Sequence, residues 1–289
     1  MIKRTIYALM AIAIMATSCS KDDDGQTTAR LTLNLNGLED LGNDYVYEGW
    51  IIVDGNPVST GTFTSVTFPQ KFNVDAEQLS SATTFVLSIE PASDPDPAPA
   101  ATKILVGDFS GDSANVNSSG IVADFSSASG KYILATPTDG ENTNELSGVW
   151  FLDLSSGTPA VGLNLPDLSA GWKYEGWAVI DGLPVSSGTF TDVADFDDNA
   201  TTTPFKGSLG DGPPFPGEDY LQNAPGSLTF PTDLRGKTVV ISVEPNPDNS
   251  PAPFTLKPLA HMVPAGATDH STIDMGTGPV TSLSGTVTR

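Results

Sequence analysis

Leu31, Leu33 and Leu35 alternate with Thr32, Asn34 and Asn36, the period-two pattern of a strand with one buried face. Tyr47–Val53 is a second apolar run, and Asp54-Gly55-Asn56-Pro57 after it is a strong turn signal. Val58–Phe63 then reads as the returning strand of a hairpin. Phe85–Glu90 and Ile104–Phe109 predict further strands on either side of a Pro-rich loop, and Asp75–Ser81 predicts one short helix. Lys131–Thr136 and Gly148–Leu154 read as two more strands around a polar loop that opens with the turn Thr136–Gly140.

The pattern then repeats. Tyr47–Val66 and Tyr174–Val193 are identical at 14 of 20 positions, at a constant offset of 127. Upstream, Leu33-Asn34-Leu35 and Leu38 correspond to Leu163-Asn164-Leu165 and Leu168. Downstream, Phe85–Ala100 parallels Val239–Phe254 at an offset of 154, so the second copy carries 154 − 127 = 27 extra residues. Three collinear blocks mark a duplicated unit.

Short strands at close spacing with Gly/Pro turns predict an all-β fold of two tandem β-sandwich domains. The first is expected over 29–128 and the second over 129–289, with the boundary in the Ser/Gly cluster 126–130. The second carries an insertion, 195–231, rich in Pro, Gly and Asp, of a length that in compact domains is functional or disordered.

Ahead of the strands, Lys3-Arg4, an apolar run from Thr5 to Met15 and the small residues Ala16-Thr17-Ser18 precede Cys19, the only cysteine. This order reads as a secretory signal over 1–18 with Cys19 at the cleavage point, and the run is too short to span a bilayer. It resembles the lipobox of bacterial lipoproteins, which implies acylation of Cys19 and a firm membrane anchor. The segment 19–28, with Ser20-Lys21-Asp22-Asp23-Asp24, reads as a flexible acidic linker. It also resembles the surface-export signal of Bacteroidetes-type lipoproteins. The implied location is the outer membrane, lipid-anchored and facing outward, with a periplasm-facing anchor as the alternative.

Charge sharpens the list of partners. Without Lys3 and Arg4 the balance is 11 − 35 = −24, which disfavours nucleic acid and anionic lipid surfaces and favours cationic partners or calcium. With Cys19 acylated, no intramolecular disulfide is available, so stability rests on apolar cores.

The repeated blocks resemble the C-terminal, extracytoplasmic domain of anti-sigma-K factors. Tyr47/Trp50, Asp54-Gly55, Pro57-Val58-Ser59, Gly61-Thr62-Phe63 and Glu90-Pro91 carry the resemblance in the first copy. Tyr174/Trp177, Asp181-Gly182, Pro184-Val185-Ser186, Gly188-Thr189-Phe190 and Glu244-Pro245 carry it in the second. The resemblance implies a sensory or scaffolding module without catalytic residues, and no direct contact with a sigma factor is expected of a chain tethered only by lipid.

The residues offer little chemistry. His261 and His270 are the only histidines and lack H-E-x-x-H spacing, and there is no G-x-S-x-G elbow. Glu48, Glu90, Glu175 and Glu244 recur in both copies and read as carboxylates that hold loop amides, rather than as a glycosidase pair. Trp50 and Trp177 read as core anchors, whereas Trp172, beside Lys173, is expected to be exposed and to offer a binding platform. Asp195, Asp197 and Asp198 in the insertion are the other binding candidates, with Asn199 beside them. Their oxygens suit Ca2+, though the loop lacks EF-hand spacing. No catalytic residue, metal site or cofactor is assigned, Ca2+ being the one alternative. The expected function is therefore a non-enzymatic binding or sensing module of the envelope, with an unidentified protein or glycan partner. The alternatives are an accessory of a sigma/anti-sigma circuit and a surface glycan-binding protein.

Overall fold

The computed structural model describes residues 27–140, 143–248 and 250–289. The first copy supplies β1 (Thr28–Asn36), β2 (Tyr45–Val53), β3 (Asn56–Phe63), β4 (Gln70–Asp75), α1 (Ala76–Ser81), β5 (Thr84–Pro91), β6 (Lys103–Ser110) and β7 (Ser113–Asn117). A middle stretch holds β8 (Ser129–Leu134), β9 (Gly148–Trp150), β10 (Leu152–Asp153), β11 (Ala160–Val161) and β12 (Leu163–Asn164). The second copy supplies β13 (Trp172–Ile180), β14 (Leu183–Phe190), β15 (Gly217–Asp219), β16 (Thr238–Pro245), β17 (Lys257–Met262), β18 (Ile273–Asp274) and β19 (Gly276–Val280), and the chain ends in β20 (Ser284–Thr288).

Local chemistry explains the elements. The β2–β3 turn places Asp54 and Gly55 at φ 51° and 78°, and the β13–β14 turn places Asp181 and Gly182 at 53° and 83°. Two successive positive φ values make the tight hairpin turn that Asp-Gly tolerates and bulkier residues resist. The short helix begins at Ala76 because the Asp75 carboxylate accepts the Gln78 amide at 2.8 Å and caps it. Leu31, Leu33 and Leu35 all turn inward, as their alternation requires.

The all-β class holds, but the arrangement is more closed than a pair of stacked sheets. The first copy forms one eight-stranded sheet in the order β3-β2-β5-β6-β7-β20-β1-β4, and β4 returns beside β3 to make a nearly closed barrel. The second copy repeats the order β14-β13-β16-β17-β19, with β18 passing to β8 and β15 lying next to β14 as β4 lies next to β3. One apolar core cluster contains residues of both copies, from Leu31 to Val287.

The closing strands are exchanged. β20 follows the second copy yet pairs with β1 and β7 of the first. β8 follows the first copy yet pairs with β9, β12 and β18 of the second sheet system. Both strands open on Ser-Gly, Ser129-Gly130 and Ser284-Gly285, and both set that dipeptide opposite Asn-Leu: Ser284↔Asn36 and Gly285↔Leu35 in one, Ser129↔Asn164 and Gly130↔Leu163 in the other. Each copy's terminal strand thus completes the other copy's sheet. Residues 284–288 belong with the first sheet although they lie far beyond 128.

The insertion also has a structural part. Thr67-Phe68-Pro69 recurs as Thr229-Phe230-Pro231 at an offset of 162, so the second copy gains 162 − 127 = 35 residues and then loses 162 − 154 = 8. The lost stretch corresponds to the region of β4 and α1. Within the gained stretch, Gly217–Asp219 pairs with β9 as β4 pairs with β1. Among the described residues no helix is long and apolar enough to cross a membrane.

Candidate cation-binding site

The repeated strands build the same polar relay twice. In β16, Ser242 and Glu244 are two apart and share a face, and Glu175 of β13 stands directly opposite Ser242. The Trp177 Nε1 donates to Ser242 Oγ at 2.8 Å, Ser242 Oγ donates to Glu244 Oε1, and the Phe254 amide donates to both Glu244 oxygens at 2.9 and 3.1 Å. In the first copy, Trp50 Nε1 donates to Ser88 Oγ at 2.8 Å, Ser88 Oγ to Glu90 Oε1, and the Ala100 amide to the same oxygen at 2.8 Å. A buried indole, a hydroxyl and one carboxylate oxygen are thus linked in each copy, while the second oxygen of Glu90 is buried without a partner. Glu90 and Glu244 hold loop amides, the role the sequence suggested for them.

The third carboxylate comes from the strand opposite. Ser186 Oγ donates to Glu175 Oε1, while Glu175 Oε2 is buried without a hydrogen-bond partner. Carboxylate oxygens of Glu175, Glu244 and Asp248 lie within 4.8 Å of one another. Burial first, then the neighbouring Glu244 and Asp248 charges, push the Glu175 carboxyl up to about 8. Burial likewise raises Glu244 to about 7. Three oxygen ligands converging in this way could coordinate a divalent cation such as Ca2+.

Glu244 and Asp248 also line a cleft of about 340 Å³ between loops of the two copies. The first copy contributes Glu39, Asp40 and Asp44 to it, and burial raises Glu39 to about 7. Lys257, whose own pKa burial lowers, acts on Glu39 and Glu244, but its ammonium donates to the Phe254 carbonyl. Tyr47 OH reaches the Glu39 carbonyl at 2.9 Å, so the aromatic of the repeated Tyr-x-x-Trp strand holds the loop that walls the cleft.

The binding residues expected from the sequence lie elsewhere. Trp172 is 3% exposed rather than a surface platform: its ring packs 5.8 Å from Phe254 and its Nε1 donates to the Lys103 carbonyl at 3.2 Å. Asp197 is buried and accepts the Asn199 and Gly217 amides at 3.2 and 3.3 Å. Asp198 pairs with Lys173 at 2.6 Å and accepts from Thr189 at 2.5 Å, while exposed Asp195 caps the Phe196 amide at 2.8 Å. These three tie the insertion to itself and to β13–β14, and they do not converge as the Glu175 group does. Cys19 and its acylation lie outside the described residues. The sequence offered Glu175 and Glu244 only as fold carboxylates and did not single out Asp248 or Ser242, although all four stand in the repeated blocks.

The family described as anti-sigma-K factor rskA, C-terminal, matches residues 15–104, which cover the first copy from β1 to the start of β6. No curated protein and no solved structure matches the chain. The likeness therefore reaches part of the chain, and the second copy is tied to it through the internal repeat.

Proposed function

We propose that this chain is a non-enzymatic binding or sensing module of the cell envelope, held at the outer membrane by lipid on Cys19 and facing outward. The observation that carries the reading is the anti-sigma-type match over the first copy, joined to a second copy with the same strand order. The charge, the apolar run and the small residues before Cys19 support the tether. The repeated carboxylates support a binding role over hydrolysis: Glu175 and Glu244 are 4% and 0% exposed and each is held by a serine hydroxyl. The face offered to a partner is the acidic cleft between the copies, which suits a cationic segment of an envelope protein.

The test is protease shaving of intact cells together with crosslinking, comparing the native chain with Cys19→Ala. The native chain is expected in the membrane fraction, accessible to protease and crosslinked to an envelope protein, with the variant released. A native chain shielded from protease removes the outward-facing version, and a variant that stays membrane-bound removes the lipid tether.

A further inference from the structure

We propose that Glu175, Glu244 and Asp248 form a specific site for one hard divalent cation, of the Ca2+ class, at the edge of the cleft between the copies. The inference does not depend on where the chain is anchored. Convergence of acidic residues alone would be weak support in a chain with 35 of them. The second observation is Glu175 Oε2, a carboxylate oxygen buried without a hydrogen-bond partner; Glu90 Oε2 of the first copy is buried in the same way, but among the described residues no two further carboxylates converge with it. A buried polar atom left without a partner costs free energy unless something supplies a positive charge or a proton. Ser186 already serves the other Glu175 oxygen, and Ser242 and the Phe254 amide serve Glu244. The protein thus orients these carboxylates and leaves one Glu175 oxygen without a hydrogen-bond partner.

The donor set selects the ion. The three residues that converge all offer oxygen and none offers nitrogen or sulfur, which favours calcium over zinc or copper. Calcium takes six to eight ligands at flexible angles, so three carboxylates leave places for water from the cleft. Magnesium demands stricter octahedral geometry and fits a loop-and-strand site of this kind less well.

The duplicated unit provides its own control. Glu48, Glu90 and Asp94 occupy the equivalent sequence positions, but Glu48 is only half-buried and Asp94 is exposed, with its Oδ1 accepting the Asp96 amide at 2.8 Å. Among the described residues the close convergence of three carboxylates occurs in the second copy only. A cation there would pin the loop after β16 to β13. It would also reduce the negative charge facing Glu39 across the cleft, so occupancy would set what the cleft can bind.

The experiment uses the purified full-length chain, Tb3+ as a luminescent Ca2+ substitute, and CaCl2 alone in thermal melts. Trp177, linked to Glu244 through Ser242, is placed to sensitise bound terbium. One saturable terbium per chain is expected, displaced by Ca2+ with a Kd on the order of 10⁻⁴ to 10⁻³ M, the range of extracellular calcium modules. Glu175→Gln and Asp248→Asn are each expected to weaken binding at least ~10-fold and to abolish the Ca2+-induced rise in Tm, whereas Glu48→Gln leaves both unchanged. Asp248 lies in a loop, so its variant tests the site even if Glu175→Gln perturbs folding. Equal loss in Glu48→Gln, or terbium binding that stays non-saturable, overturns the proposal; so does a melt unmoved by millimolar Ca2+ in the native chain.

Discussion

Glu218 sits buried in the short strand that the insertion supplies, with Thr203 donating to its Oε2 and the Asp219 amide donating to its Oε1 at 2.9 Å. Burial is the main force on it, and the charges of Asp197 and Asp219 add to it, raising its carboxyl to about 8; Asp197 is raised to about 6, again chiefly by burial. Between the unfolded carboxylate range and these values, the folded chain holds more protons than the unfolded one. Stability from this region is therefore fully present below about pH 4 and is lost as pH rises through 6 and then 8. Calcium-free melts should show Tm falling from pH 5 to pH 8, and Glu218→Gln should flatten the upper part of that fall. A Glu218→Gln profile that parallels the native one would remove Glu218 as its cause. Trp172 is buried by a partner remote in sequence. Its polar neighbour Lys173 suggested a surface ring, but nothing local reveals Phe254, which arrives from a loop 254 − 172 = 82 residues later. Trp50 and Trp177 were legible because Tyr-Glu-Gly-Trp recurs unchanged and apolar, mostly β-branched residues follow it, and both are buried.

Strands announce themselves when they alternate or when a turn residue ends them. Leu31-Leu33-Leu35 and the two Asp-Gly hairpins did both, and the structure builds β1, β2–β3 and β13–β14 on them. β15 did neither: Gly217-Glu218-Asp219 is short, polar and fully buried, and it becomes a strand only because β9 lies beside it. The pairing of β20 was hidden for another reason. Its partners β1 and β7 are remote in sequence, and only the Ser-Gly opening shared with β8 hinted that the two strands are equivalents. Antiparallel ladders on both flanks make β20 the closure of the first barrel, with Val287 in the core and the Arg289 guanidinium donating to the Leu79, Ala82 and Gly111 carbonyls. Removing residues 284–289 should open β1 and β7 as unpaired edges, a template for another strand. The truncated chain is expected to melt lower and to self-associate, and a synthetic peptide of residues 282–289 should reverse both effects by strand addition. If the truncated chain melts like the native one, the exchanged strand contributes little to closure.

The duplication suggests two independent bodies, and the contacts between the copies argue against that. Trp172 of the second copy bonds to the Lys103 carbonyl of the first, Thr255 Oγ1 bonds to the Gly37 carbonyl at 2.8 Å, and Phe125, between β7 and β8, sets its ring edge-on to Tyr174 at 6.4 Å. Each sheet system also contains a strand whose chain continues directly from the other copy, so neither can separate without breaking a ladder. Cooperative unfolding requires that partial unfolding expose more surface than it releases in entropy, and a common core with exchanged strands meets that condition. The two copies are thus expected to unfold in one transition. Trp50 and Trp177 occupy equivalent places and serve as separate reporters in a chain whose other two tryptophans, Trp150 and Trp172, are replaced by Phe: Trp50 when Trp177→Phe is added, Trp177 when Trp50→Phe is added. Because each substitution removes one indole-to-serine bond, both variants should unfold at less urea than the native chain. In each variant the fluorescence curve should coincide with the far-UV circular dichroism curve. A tryptophan whose transition comes before or after the loss of secondary structure would mean that its copy unfolds alone. The acidic cleft would then lie between bodies free to separate, and a cation held by Glu175, Glu244 and Asp248 could act only within the second.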